Sequence, residues 1–145
     1  VFKVKIAESQ LEKEQAFDVR RKVFVEEQRV PIHIEMDEHD DDAIHFVAYQ
    51  LEQPIAAGRI REVEVGLGKV ERVCVLPEYR GQHIGVLIMN GMEDYAQSNG
   101  IFRLKLNAQT HALAFYEKLG YEVTSEEFMD ADIPHKSMEK AITVE

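Results

Sequence analysis

Apolar and polar residues along the chain switch between a period of two and a period near 3.6. Phe2, Val4 and Ile6 interleave with Lys3 and Lys5, which predicts a first strand over Phe2–Ile6. Ser9 then stands as an N-cap before a helical stretch marked by Ala16, Phe17, Val23 and Phe24. Arg20 lies three or four residues from each of these, so it falls on the stripe that faces the core. Val30-Pro31 ends regular structure, and the acid-rich stretch 35–42 reads as an extended, solvated loop. Residues 43–50 and 55–63 alternate as two strands joined by a turn at Glu52-Gln53-Pro54. A turn at Gly66–Gly68 leads into a strand over 69–76. Ile84, Leu87, Ile88, Met92, Tyr95 and Ala96 then mark an amphipathic helix closed by Asn99-Gly100. Residues 102–106 alternate as another strand. Ala112, Phe115, Tyr116 and Leu119 outline a short helix stopped by Gly120, and 121–124 and 136–143 read as closing strands. This order predicts an α+β or mixed-sheet fold.

Composition narrows the function. The 145 residues suit one domain spanning 1–145, with 45% apolar and 30% charged residues. A net charge of −10, from 27 acids and 17 bases, excludes a general nucleic-acid binder and disfavours anionic membranes. It favours small amine-bearing partners. Cys74 is the only cysteine, so an internal disulfide and a CxxC metal site are both excluded. The acidic stretch lacks the spacing of an EF-hand loop, and no HExxH is present, so no metal is expected. With no apolar run of membrane-spanning length and no signal-peptide pattern, a cytoplasmic location is expected.

Three segments carry candidate chemistry. The first runs from Val73, Cys74 and Val75 through Pro77 to Arg80, Gly81, Gln82, His83, Ile84, Gly85 and Val86. A strand that turns into a helix behind a basic, glycine-bracketed loop aims free N–H groups at one point, as a phosphate requires. A plain strand-to-helix turn fits the same spacing. Neither GxGxxG nor Gly-Lys-Ser/Thr is present. In the second segment Tyr116 lies on the apolar face of its helix, either as a core tyrosine or as a proton donor at a cleft edge. In the third, His135 follows Pro134; it is either an ordinary histidine or a general base, imidazole titrating near 6.5 in its ordinary state. Cys74, between valines, reads as packing rather than as a nucleophile.

Residues 70–81 and 115–121 resemble two signatures of the GNAT superfamily of N-acetyltransferases. Residues 19–28, the acidic loop and Ile133-Pro134-His135 resemble its ElaA/YjcF-like branch. The resemblance implies a mixed, mostly antiparallel central sheet flanked by helices, with splayed strands that hold acetyl-CoA. The splay would lie between 73–75 and 104–107, near Asn107 and Phe115. The N–H groups from Arg80 to Val86 would face the pyrophosphate, and the backbones of Val73 and Val75 the pantetheine. Tyr116 would protonate the departing sulfur. His135 is implied as the base, with Glu71 as runner-up. The acceptor would be the amine of a small molecule or peptide, and the resemblance allows a homodimer.

His83 departs from the family pattern, standing where a glycine is usual. An acyl-CoA-binding sensor or interaction module with little catalysis is therefore the alternative reading. Candidate acceptor contacts are Arg20, Arg72 and Gln28. Strand alternation puts Val70, Arg72 and Cys74 on one face and Glu71, Val73 and Val75 on the other, unless the strand is bulged. Arg72 at the acceptor side would favour a substrate carrying a carboxylate or phosphate. Arg20 has a second reading, a buried ion pair with Glu27, Glu35 or Asp37.

Overall fold

The computed structural model describes residues 1–144; the last residue of the expected domain span lies outside them. Its core is an eight-stranded sheet formed by β1 (Phe2–Ile6), β2 (Ile44–Gln50), β3 (Gln53–Glu64), β4 (Leu67–Val75), β5 (Arg103–Gln109), β6 (Glu122–Val123), β7 (Phe128–Asp130) and β8 (Ile133–Ala141). The order is β1-β2-β3-β4-β5-β8-β6, with β7 also on β8. All pairings are antiparallel except β4 with β5.

Helix α1 (Gln10–Arg20) opens with a full capping box, the Ser9 side chain accepting from the Glu12 N–H and Glu12 bonding back to Ser9. The helix then widens into a π-helical run, Arg21–Glu27, in which the Gln28 N–H reaches the Val23 carbonyl. Such runs are rare and recur at functional sites. Val19, Val23, Val47, Tyr49, Ala57, Cys74 and Leu76 form the core between this helix and one sheet face. A short helix α2 (Ile32–Glu35) leads into the acidic stretch, which folds around a 3₁₀ turn at Glu38–Asp41.

The opposite face packs on α3 (Ile84–Ser98), whose Ile88, Met89, Met92 and Ala96 are fully buried, with α4 (Leu113–Lys118) beyond it. Each such side chain removed from water contributes about 1.5–3 kcal/mol. Helix α3 presses so closely on β3 that a Cβ on Gly58 would stand 2.6 Å from the Met92 methyl.

Two irregularities shape the centre. Pairing of β3 with β4 passes from Ala57↔Cys74 to Arg59↔Glu71, two residues on β3 against three on β4. The extra residue is a β-bulge at Arg72, which adopts a left-handed φ of 61°. One inserted residue reverses side-chain parity. Val70 therefore shares a core with Val73 and Val75, while Glu71 faces the Cys74 side; the regular alternation expected for this strand is corrected accordingly. Next to the bulge, the parallel pairing of β4 with β5 stops at Val70↔Leu106. The splay is thus shorter than expected, because Leu104 and Leu106 are still paired and only the ends of β4 and β5 part.

Candidate active site

The parted strands open a cleft of about 1070 Å³. Its walls include Val73, Cys74 and Val75 from β4, Asn107 and Gln109 from β5, Phe115 and Tyr116 from α4, and His135 from β8. Past the ends of β4 and β5 it meets Arg80, Gly81 and Gly85; at the other side it meets Ile34, Lys69, Glu71, Arg72 and Asp130. Gln28, from the end of the π-helical run, also lines it.

Helix α3 begins without any side-chain cap, so its first N–H groups lack the usual partner. Gly81 has φ 80°, with no atom within 4 Å of where a Cβ would stand. His83, the residue that departs from the family pattern, has φ 63° and ψ 22°. It adopts the left-handed backbone that a glycine would take most readily, so the loop geometry is present despite the imidazole. Gln82, His83, Ile84 and Val86 do not line the cleft with their side chains, and Ile84 is buried in the core. Toward the cleft they offer their backbone N–H groups.

Arg80 is held across the cleft mouth. Its two terminal nitrogens bond the Glu27 carboxylate at 2.7 Å each, and Nε donates to the Val75 carbonyl at 3.0 Å. One residue further on, Gln28 accepts from Gln109 Nε2 at 2.8 Å. The π-helical run is thereby clasped to both parted strands. The pairings Glu27–Arg80 and Gln28–Gln109 escape sequence reasoning, since residues 53 and 81 positions apart leave no local signal, and Glu27 binds Arg80 rather than Arg20.

Tyr116 faces the cleft, and its hydroxyl has no hydrogen-bond partner among the described residues. Burial lifts its pKa above the ordinary 10.0, so it stays protonated at neutral pH. His135 Nδ1 lies 2.6 Å from the Ile133 carbonyl, and its ring stacks on Phe128 at 6.0 Å. A carbonyl only accepts, so Nδ1 carries the proton and the neutral ring keeps its lone pair on Nε2. The β7–β8 turn that sets this geometry has Ala131 and Asp132 at φ 50° and 61°. Cys74 is buried, and burial pushes its thiol up to about 12, which rules out a thiolate nucleophile at neutral pH.

Glu71 and Arg20 are committed elsewhere. Arg20 is wholly buried and absent from the cleft, which corrects its place among the acceptor contacts. It bonds Glu35 and Asp40 at 2.7 Å each, the ion-pair reading of this residue. Arg59, equally buried, bonds Asp37, Asp40 and Glu71. The acidic stretch is therefore a lid on a buried charge network and not simply a solvated loop. Burial alone would raise the Glu71 carboxyl, but the Arg61 hydrogen bond and the charges of Arg59 and Lys69 bring it down to about 2. Arg72 does line the cleft; Nε donates to the Glu35 carbonyl and Nη2 to the Ile34 carbonyl and Asp37, each at 3.2 Å.

A family model described as an acetyltransferase (GNAT) domain matches residues 7–142. The uncharacterised N-acetyltransferase YjcF of Bacillus subtilis is 46% identical over 139 residues, covering 95% of this chain and 99% of its own. A crystal structure of an N-acetyltransferase candidate from Lactobacillus plantarum superposes with TM-score 0.91 at 28% identity, covering 98% and 99% of the two chains. Escherichia coli ElaA shares the fold, with TM-score 0.86 at 22% identity over 97% of this chain and 99% of its own. The chain belongs to the GNAT acetyltransferase family and is an acetyl-CoA-dependent N-acetyltransferase. Among the described residues, no helix is long and apolar enough to cross a membrane.

Proposed function

We propose that the chain acetylates the primary amine of a small molecule or peptide by direct attack, with both substrates in the cleft together. The observation that carries this reading is the parting of β4 and β5 at the Arg72 bulge. It opens Tyr116 and His135 into one cleft that ends at the uncapped start of α3.

The residues present fit acetyl-CoA. The free N–H groups of 81–86, with Arg80 beside them, would hold the pyrophosphate at the positive end of α3. The backbones of Val73 and Val75, unpaired toward β5, would hold the pantetheine amides next to Cys74, Asn107 and Phe115. Bound there, acetyl-CoA supplies an activated acetyl group whose sulfur leaves with a proton. Tyr116 holds that proton at its hydroxyl. His135 Nε2 accepts the proton that the amine must lose before it attacks. Glu71 is a poor base, because three cations compete for its carboxylate.

Thiol release from acetyl-CoA across a panel of primary amines tests the reading. Turnover with at least one class supports it; tight acetyl-CoA binding with no turnover on any class contradicts it. In His135→Gln the acid limb of the kcat/KM profile is expected to flatten. An unchanged limb would discard the histidine as base.

A further inference from the structure

On this acidic chain, the open face of the sheet beside the cleft carries a strip of positive charge. Strand register puts Arg61 opposite Lys69, Lys69 opposite Lys105, and Lys105 opposite Glu139. Residues paired in this way point to the same face, with adjacent strands about 4.8 Å apart. Three cations therefore lie side by side, an arrangement that costs stability unless anions offset it. The chain's own anions lie at the edges of the strip, Glu71 on one side and Glu139, with Glu122 paired beyond it, on the other. Glu71 takes Arg61 at 2.8 Å and Lys69 at 3.3 Å, but it also serves Arg59. Glu139 is engaged by Arg103 at 3.4 Å. Lys105 has no ion-pair partner among the described residues. Arg72 adds a fourth cation at the cleft wall, and its Nη1 makes no hydrogen bond among the described residues even though Nε and Nη2 are bonded.

The strip shares a face with the proposed base. Gln109 pairs with His135 and Lys105 with Glu139, an even offset of four residues along the same two strands. At about 3.3 Å per residue, the strip begins roughly 13 Å from His135 before the lysine side chains reach back toward it. Lys69 lines the cleft itself.

We infer that the acceptor is an amine bearing a carboxylate or phosphate several bonds from the reacting nitrogen, and that Lys69, Lys105 and Arg72 hold the anionic group. This rests on the acetyl-transfer reading above and names the substrate class of the same site.

The test compares matched acceptors at equal concentrations of free amine. Glycylglycine and 4-aminobutyrate are run against their carboxamides, and O-phosphoethanolamine against ethanolamine. The anionic member of at least one pair is expected to lead by tenfold or more in kcat/KM, falling with added salt, and the leading pair distinguishes carboxylate from phosphate. In Lys105→Glu that lead is expected to shrink tenfold through KM, with kcat and the CoA dissociation constant unchanged. Lys105 bears no structural ion pair, so this variant is expected to fold. Neutral or polycationic amines that run as fast as the anionic ones, or an unchanged lead in Lys105→Glu, would overturn the inference and leave acetyl transfer standing. Binding of acetyl-CoA with no thiol release on any amine would overturn both.

Discussion

The two sides of the Arg72 bulge use the same residue types for opposite ends. On the α1 side, Arg20 and Arg59 are wholly buried and bonded to Glu35, Asp37, Asp40 and Glu71, a network in which one buried atom, Glu35 Oε2, lacks a partner among the described residues. On the cleft side, where Tyr116 and His135 line the cavity and Lys105 stands on the adjoining strip, a hydroxyl, a ring nitrogen and an ammonium have no protein partner among the described residues. Satisfied polar groups fix geometry and cannot react; unsatisfied ones at a cleft wall can take up a substrate's hydrogen bonds. The network holds α2 and the bulge in place, and the bulge in turn ends the pairing of β4 with β5.

This contrast is sharpest where a network charge loses its partner. Arg59→Ala takes one cation from three carboxylates, leaving Asp37 with Arg72, Asp40 with Arg20 and Glu71 with Arg61 and Lys69, and breaking a buried pair costs about 3–5 kcal/mol. Urea unfolding is expected to show a loss of that size. A loss under 1 kcal/mol would mean that the network is ornamental to the fold.

Acid provides a gentler probe. Asp37 and Glu71 are held at about 2, against ordinary values of 3.8 and 4.5, by arginine partners that outweigh the upward push of burial. Their folded values are depressed, so the stability they contribute is present above pH 4.5 and is lost as pH falls toward 2. Thermal melts from pH 6 down are expected to show this loss beginning near pH 4.5, and Glu71→Gln is expected to make it shallower. A melting temperature that is flat across that window would contradict the pairing.

The smallest expected effect lies at the clasp. Glu27 occupies the Arg80 guanidinium at the cleft mouth, so Glu27→Gln is expected to tighten CoA binding by about two- to fivefold in calorimetry, since charge-assisted hydrogen bonds are roughly twice as strong as neutral ones. Weaker binding in that variant would show that the clasp orders the site instead of competing for Arg80.

What was legible in the sequence follows from what is local. The Ser9 N-cap, the alternation in β1 and the helical stripe of α3 are settled by neighbouring residues, and the structure places them as expected. The two signatures also locate Tyr116 and the α3 loop. The bulge is not legible, because Arg72 takes a left-handed backbone without the glycine or asparagine that would announce it. The β7–β8 hairpin is hidden for the same reason, its turn being built on Ala131 and Asp132 where Asn-Gly is the usual signal. The acidic stretch reads as solvated because its partners, Arg20 and Arg59, come from other parts of the chain. The cationic strip needs the strand register before three separated residues become neighbours.

The central claim is that the open side of the bulge does the chemistry, and Tyr116→Phe tests it most directly. The substitution removes one hydroxyl and keeps the ring that packs on Phe115 and Tyr121. Steady-state thiol release, measured beside the CoA dissociation constant, is expected to show kcat lowered by about 100-fold with CoA affinity within about twofold, the usual scale for a lost proton donor. An unchanged kcat across the pH range would contradict the account.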